Sequence, residues 1–258
     1  MRIQLSLYDF LAYAGPGFIA IVIGAILFEP ALLANLPDHL NDPNSILSKF
    51  LTPNLAQGIF YLFVCHLVGV TSHGVTERIL EILSKKLTVM KRYYSDRGMF
   101  EKELFNPTIG RRHPEDFHPY SDQFVQSLKK QIGKLFNIEI DKMDSDEEYT
   151  EIFHLCRNTV IEHSQNLYSS AFVFLVRYNS TKLIGNIFFF GGIGFLLRMF
   201  RPGELGIWRY LILAIASIIL SRIFYNLYHK FFRYYRNRIL YGFYEYAVTY
   251  EKSKNSDV

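Results

Sequence analysis

The amino-acid sequence predicts an all-α membrane protein in which two transmembrane helical hairpins flank a helical cytosolic insertion. Three observations predict it: apolar runs that come in two close pairs, a charged stretch at 77–181 between the pairs, and a lopsided distribution of Lys and Arg. The averages alone decide nothing. Half of the 258 residues are apolar and 20% are charged, with a mean hydropathy of +0.08, and charged segments mask apolar ones in such a mean.

The first run, Phe10 to Phe28, has 19 residues with no ionisable side chain except Tyr13. At about 1.5 Å per residue it covers roughly 28 Å, close to the thickness of bilayer hydrocarbon. Its length, and the near absence of a positive start, Arg2 being offset by Asp9, favour a span over a cleaved signal peptide. Gly15-Pro16-Gly17 is expected to bend or break it. The second run, Gly58 to Val75, has 18 residues and carries His66 and His73. The third, Leu183 to Leu197, places 15 uncharged residues between Lys182 and Arg198, and the fourth, Tyr210 to Ser221, places twelve between Arg209 and Arg222. Runs this short span if flanking cations snorkel, if the bilayer thins, or if the helices sit inside an assembly. The implied organisation is a first hairpin with its outer loop at 1–76, a cytosolic module at 77–181, a second hairpin at 182–221, and a basic, aromatic juxtamembrane helix and tail at 222–258. The outer loop, with four prolines in 29–54, reads as short interfacial helices.

Short loops rich in Lys and Arg stay on the cytoplasmic side. Residues 29–57 hold one such cation, 77–182 hold 16, and the tail from 222 holds 7. Both termini and the insertion are therefore expected in the cytoplasm, and the chain in a bacterial inner membrane. Arg198, Arg201 and Arg209 run against this rule. Within the insertion, 77–134 carries 12 cations and 8 anions while 135–163 carries 2 and 8, which suggests an internal electrostatic match or a neighbouring subunit. Ser145 and Glu148 form a capping box opening a long helix. From there Tyr149, Phe153, Cys156, Val160, His163, Leu167, Ala171 and Phe174 recur at three- and four-residue steps, a coiled-coil-like seam that is expected to run on towards the third span. Cys65 and Cys156 read as buried, unpaired thiols.

Four groups of residues could carry function. His66 and His73 lie two turns apart on one helical face with Gly69; they either line a wet intramembrane path or hydrogen-bond between helices. Arg157, Asn158 and His163, in "RNTVIEH", show the Arg, polar residue and downstream His of HEPN ribonucleases, although His163 on the apolar seam also reads as a core residue. Arg111, Arg112, His113 and His118 on a loop offer anion or partner binding, including a nucleotide or RNA signal, or a solvated charge cluster; with Asp116 they match no established zinc spacing. Arg222, Lys230, Arg233, Arg236 and Arg238, interleaved with aromatics, suit anionic headgroups better than RNA. No metal or cofactor is expected. Ala20, Gly24, Gly185, Gly191, Gly192 and Gly194 permit close helix approach and suggest a homo-oligomer.

"LYDFLAYAGPGF", "FLVRYNS" and "RYYRNRILYGFYEY" resemble segments of prokaryotic four-span membrane proteins that include effectors of antiviral defence, among them CRISPR-accessory proteins joining membrane helices to a HEPN-like motif. The resemblance implies a cytosolic module that senses a signal or a protein partner and a membrane module that perturbs the envelope or forms a pore. The sequence thus leads to a non-enzymatic membrane effector, with a membrane-tethered ribonuclease and a passive anchor recruiting a soluble partner as the alternatives.

Overall fold

A computed structural model describes residues 2–28, 30, 55–86, 121–142, 146–200 and 206–256. These form six helices and no strand: α1 (Arg2–Phe28), α2 (Leu55–Lys86), α3 (Asp122–Phe136), α4 (Asp146–His163), α5 (Gln165–Arg198) and α6 (Gly206–Ser256), with one 3-10 turn at Ile140–Lys142. The stretches 57–83, 165–198 and 206–253 are long and apolar enough to cross a membrane, while Ala12–Phe28 is a shorter apolar helix. The charges that bound the third and fourth runs do not end their helices, which extend to 34 and 51 residues. The outer loop, Ser145 and the segment 87–120 lie outside the described residues.

The chain falls into two units, Met1–Ile82 with Val176–Phe231, and Leu83–Leu175 with Phe232–Val258. In the first, α1 packs antiparallel to α2 and parallel to α5. Gly17 lies against Cys65 and Gly69 against Tyr13, and a Cβ on either glycine would land on the facing backbone carbonyl. Along α5, Gly191 meets Ile23 and Gly194 meets Leu27; Gly185 and Gly192 meet α6 at Ser221 and Ala214. These glycines are therefore spent on packing within the chain, whereas Gly24 has open space beside it. The bundle core comprises Ile23, Leu183, Ile187, Phe195, Tyr210 and Ala214.

Contrary to the expected break, α1 continues through Pro16 as one helix. A proline inside a helix has no N–H for the carbonyl four residues back, here that of Ala12. Ser180 Oγ, from α5, donates to that carbonyl at 3.0 Å. At the other end of the helix, Arg198 Nε donates to the Leu27 carbonyl at 2.7 Å, satisfying a last-turn acceptor that has no intrahelical donor.

The second unit shows that the seam is not one helix. Phe153, Val160 and His163 of α4 meet Tyr235, Gly242 and Tyr246, ascending along α6; Leu167 and Phe174 of α5 then meet Gly242 and Tyr234, descending. The chain reverses at Ser164. Its N–H closes the last turn of α4 on the Val160 carbonyl at 2.9 Å, and its own carbonyl accepts from Tyr168 at 3.0 Å to open α5. The seam keeps its spacing across the break because both helices face the same partner. On α3, Ser121 caps the start by accepting from the Phe124 N–H, Asn137 closes the end in the left-handed region (φ 56°), and Val125, Leu128 and Ile132 turn inward. Lys134 Nζ and Gln131 Nε2 reach Glu251 Oε1 and Oε2 at 2.6 and 3.0 Å, so the end of this basic helix is matched by the carboxy-terminal part of α6.

Candidate functional site

The sequence placed two histidines inside the first unit, and the structure gives them different work. His66 Nδ1 lies 3.1 Å from the Phe10 carbonyl, and its ring stacks on Phe10 at 4.5 Å between centroids. In the Nδ1–H tautomer this is a donated hydrogen bond, so His66 fastens α2 to α1. His73 touches the other side of Tyr13, 5.7 Å between centroids, and its buried Nδ1 has no hydrogen-bond partner among the described residues. Tyr13 thus sits between the two imidazoles, directly over Gly69.

One turn beyond His73, Glu77 meets Lys182 of α5, Oε1 to Nζ, at 2.8 Å. The Lys182 side chain is only 10% exposed, against 39% for Glu77, and its ammonium also lies 5.8 Å from the centre of the Tyr228 ring. Tyr178 stacks on that ring at 4.7 Å. Asn186 follows Lys182 by one turn. Its side chain is completely buried, with neither amide atom hydrogen-bonded among the described residues. The contacts of α1 set the levels: Ser180 faces Ala12 and Gly191 faces Ile23 on one side, and Gly17 faces Cys65 on the other, so Asn186 lies near the level of Cys65, about two turns from His73, and the long Glu77 and Lys182 side chains reach towards each other across that offset. Beside Asn186, Ser221 Oγ of α6 donates to the Gly185 carbonyl at 2.9 Å. Farther along α6, the Tyr210 hydroxyl is buried and also has no hydrogen-bond partner among the described residues.

Burying an amide without a partner costs on the order of 2–7 kcal/mol, and a charge pair is desolvated at still greater cost. Polar groups at this density in an apolar bundle are what an intramembrane path for charge or protons requires. The sequence pointed to His73 but missed Glu77, Lys182 and Asn186. Glu77 and Lys182 read as boundary charges because each ends an apolar run, and Asn186 has no signal beyond being an amide inside one.

The other candidates are dispersed. Arg111, Arg112, His113 and His118 lie outside the described residues. In the second unit, Arg157 acts electrostatically on the Tyr235 hydroxyl, whose proton burial holds up to about 12 while Arg157 pulls the other way and Tyr168 adds to the rise. Its Nε is buried with no hydrogen-bond partner among the described residues. His163 instead stacks on Tyr246, 4.4 Å and 7° between planes, with nearly half of its side chain exposed, and is not the core residue its seam position suggested. Arg157 and His163, six residues apart on α4, thus act on different tyrosines of α6, Tyr235 and Tyr246. Asn158 is exposed. Of the basic tail residues, Arg222 and Arg238 are exposed and Lys230 and Arg233 partly buried, but Arg236 is only 2% exposed. That corrects its assignment to the membrane surface: Arg236 and Tyr235 turn into the second unit between Phe232 and Ile239, all four buried. Cys65 and Cys156 are buried free thiols, and burial raises the Cys156 thiol pKa well above the usual cysteine range. No group of three His, Cys, Asp or Glu side chains able to hold a metal occurs among the described residues. No family model matches the chain, and no curated protein or solved structure was found to resemble it.

Proposed function

We propose that the protein is a non-enzymatic inner-membrane effector whose membrane unit lets charge or protons leak across the bilayer when its cytosolic unit receives a signal, as in a defence response. In this reading α1 with α2 and the amino-terminal part of α5 with α6 are two membrane hairpins, with both termini and the insertion in the cytoplasm. The antiparallel packing within each pair, the parallel packing of α1 and α5, and the Lys and Arg distribution all support that path. One observation carries the functional step: an outer surface of exposed Ile, Leu, Val and Phe surrounds polar groups inside the unit, the His73 Nδ1, the Asn186 amide and the Glu77–Lys182 pair. Such side chains face lipid without penalty, whereas the enclosed polar groups have no counterpart in an inert anchor.

The test is reconstitution of the purified full chain into sealed vesicles under an imposed potential. The expected result is a protein-dependent collapse of the potential, steeper than linear in the protein-to-lipid ratio if copies act as a homo-oligomer. Vesicles that stay tight, with cells that arrest growth at unchanged membrane potential, overturn the reading. Loss of purified RNA-cleaving activity on His163→Ala would instead establish the ribonuclease.

A further inference from the structure

Of the three helices long and apolar enough to cross a membrane, α2 is the most thinly packed. Of its most apolar 18 residues 11% are buried within the chain, against 44% for α5 and 22% for α6. Along 65–73 it is held to α1, by Gly17 against Cys65, Tyr13 against Gly69, and His66 Nδ1 at the Phe10 carbonyl. At Glu77 it reaches past α1 to the second hairpin, where Lys182 Nζ of α5 lies 2.8 Å from Oε1.

Helix geometry sets that reach. Cα–Cβ bonds lean towards the amino terminus of their helix, and α2 and α5 are antiparallel, so Glu77 and Lys182 start at different levels and lean towards each other. The length of both side chains is used in bridging the offset, and one methylene less on either parts them.

The two partners also have somewhere to go when parted. The Lys182 ammonium lies 5.8 Å from the centre of the Tyr228 ring, itself stacked on Tyr178 at 4.7 Å, and keeps that aromatic face. Glu77, 39% exposed against 10% for Lys182, turns to water. A pair with a resting place for each partner opens and closes, whereas one sealed on both sides does not. Beyond Glu77, α2 continues unbroken to Lys86, past the limit of the first unit at Ile82, and α5 enters that unit at Val176 on its way to Lys182. A pull on either helix from the second unit therefore arrives at the pair along continuous backbone.

We propose that the Glu77–Lys182 contact is the latch of the membrane unit: closed, it holds α2 to the second hairpin, and its separation opens the leak. This rests on the reading of the unit as a leak pathway and names what keeps that pathway shut.

The full chain and its variants are reconstituted at equal protein-to-lipid ratio in sealed vesicles of phosphatidylcholine and phosphatidylglycerol, and the initial rate at which an imposed potential collapses is read. Glu77→Gln removes the charge, and Glu77→Asp keeps it but withdraws it by one methylene; both should leak about tenfold or more faster than the wild type. Adding Lys182→Arg to Glu77→Asp restores the reach with a longer, forked cation and should bring the rate to within about twofold of the wild type. Such a recovery also shows that the leak of Glu77→Asp is not that of a misfolded chain. A leaking wild type with an unchanged rate in Glu77→Gln or Glu77→Asp overturns the latch, and so does a fast Glu77→Asp that Lys182→Arg fails to slow. Vesicles that stay tight with every chain overturn the leak pathway itself.

Discussion

Ser180 supplies the hydrogen bond that Pro16 cannot: its hydroxyl, on α5, donates at 3.0 Å to the Ala12 carbonyl left without an N–H donor by the proline four residues later. An unbroken helix with an internal proline is thus an interhelical property. Ser180→Ala should leave the buried carbonyl unsatisfied and destabilise the bundle by about 1–3 kcal/mol. In a Pro16→Ala background the restored N–H takes over, and the same substitution should cost under about 0.5 kcal/mol. Thermal unfolding of the four chains in one detergent, followed by circular dichroism, closes this cycle; equal costs in both backgrounds would show that the contact is incidental.

The same contact shows how far the sequence could be read. Apolar run lengths and the Lys and Arg bias belong to single segments and their solvent, so the helical class and the apolar stretches were legible. What the sequence hid depends on a second element. Pro16 reads as a breaker until Ser180 is known to face it, and the glycines of α5 read as an oligomer surface until Ile23, Leu27 and α6 fill them. Ser164 was masked differently. A preferred capping residue stood in view, but the apolar seam passed through it unbroken because α4 and α5 pack on one partner. Asn186 illustrates the limit for sites, since nothing in "KLIGNIFFF" distinguishes an amide that faces lipid from one sealed in a core.

The Glu77–Lys182 pair should respond asymmetrically to neutralisation. Glu77→Gln takes the carboxylate away from an ammonium whose side chain is only 10% exposed and should cost about 3–5 kcal/mol. Lys182→Met leaves a carboxylate that is 39% exposed and can turn to water, so its cost should be clearly smaller. The double variant should be more stable than Glu77→Gln alone, a non-additivity that chemical unfolding in detergent measures. If the two single substitutions cost the same, Lys182 is not the sealed partner.

Glu251 gives the second unit an acid limit. Hydrogen bonds from Lys134 and then Gln131 hold its carboxyl below the ordinary value of 4.5. A folded-state pKa below the unfolded one means stability that is fully present above pH 4.5 and is lost as pH falls through the folded value. Between pH 7 and 5 this contact should add no pH dependence. Below that the wild-type chain should lose stability more steeply than Glu251→Gln, and coincident acid transitions for the two would remove Glu251 from the account.

Asn186 is where stability and function should separate. Its amide is completely buried with no hydrogen-bond partner among the described residues, so the folded state bears its desolvation without return. Leucine has the same branched skeleton of four side-chain heavy atoms and no polar ones. Asn186→Leu should therefore stabilise the bundle by about 1–2 kcal/mol, raising the melting temperature by about 2–8 °C. If protons or ions pass this amide, the same substitution replaces a polar lining with hydrocarbon and should lower vesicle leak by about tenfold or more. The pairing of the two readouts is what discriminates. A chain that melts higher and leaks less supports conduction past Asn186, one that melts higher and leaks as before places the leak away from this amide, and one that melts lower means Asn186 holds a structural bond.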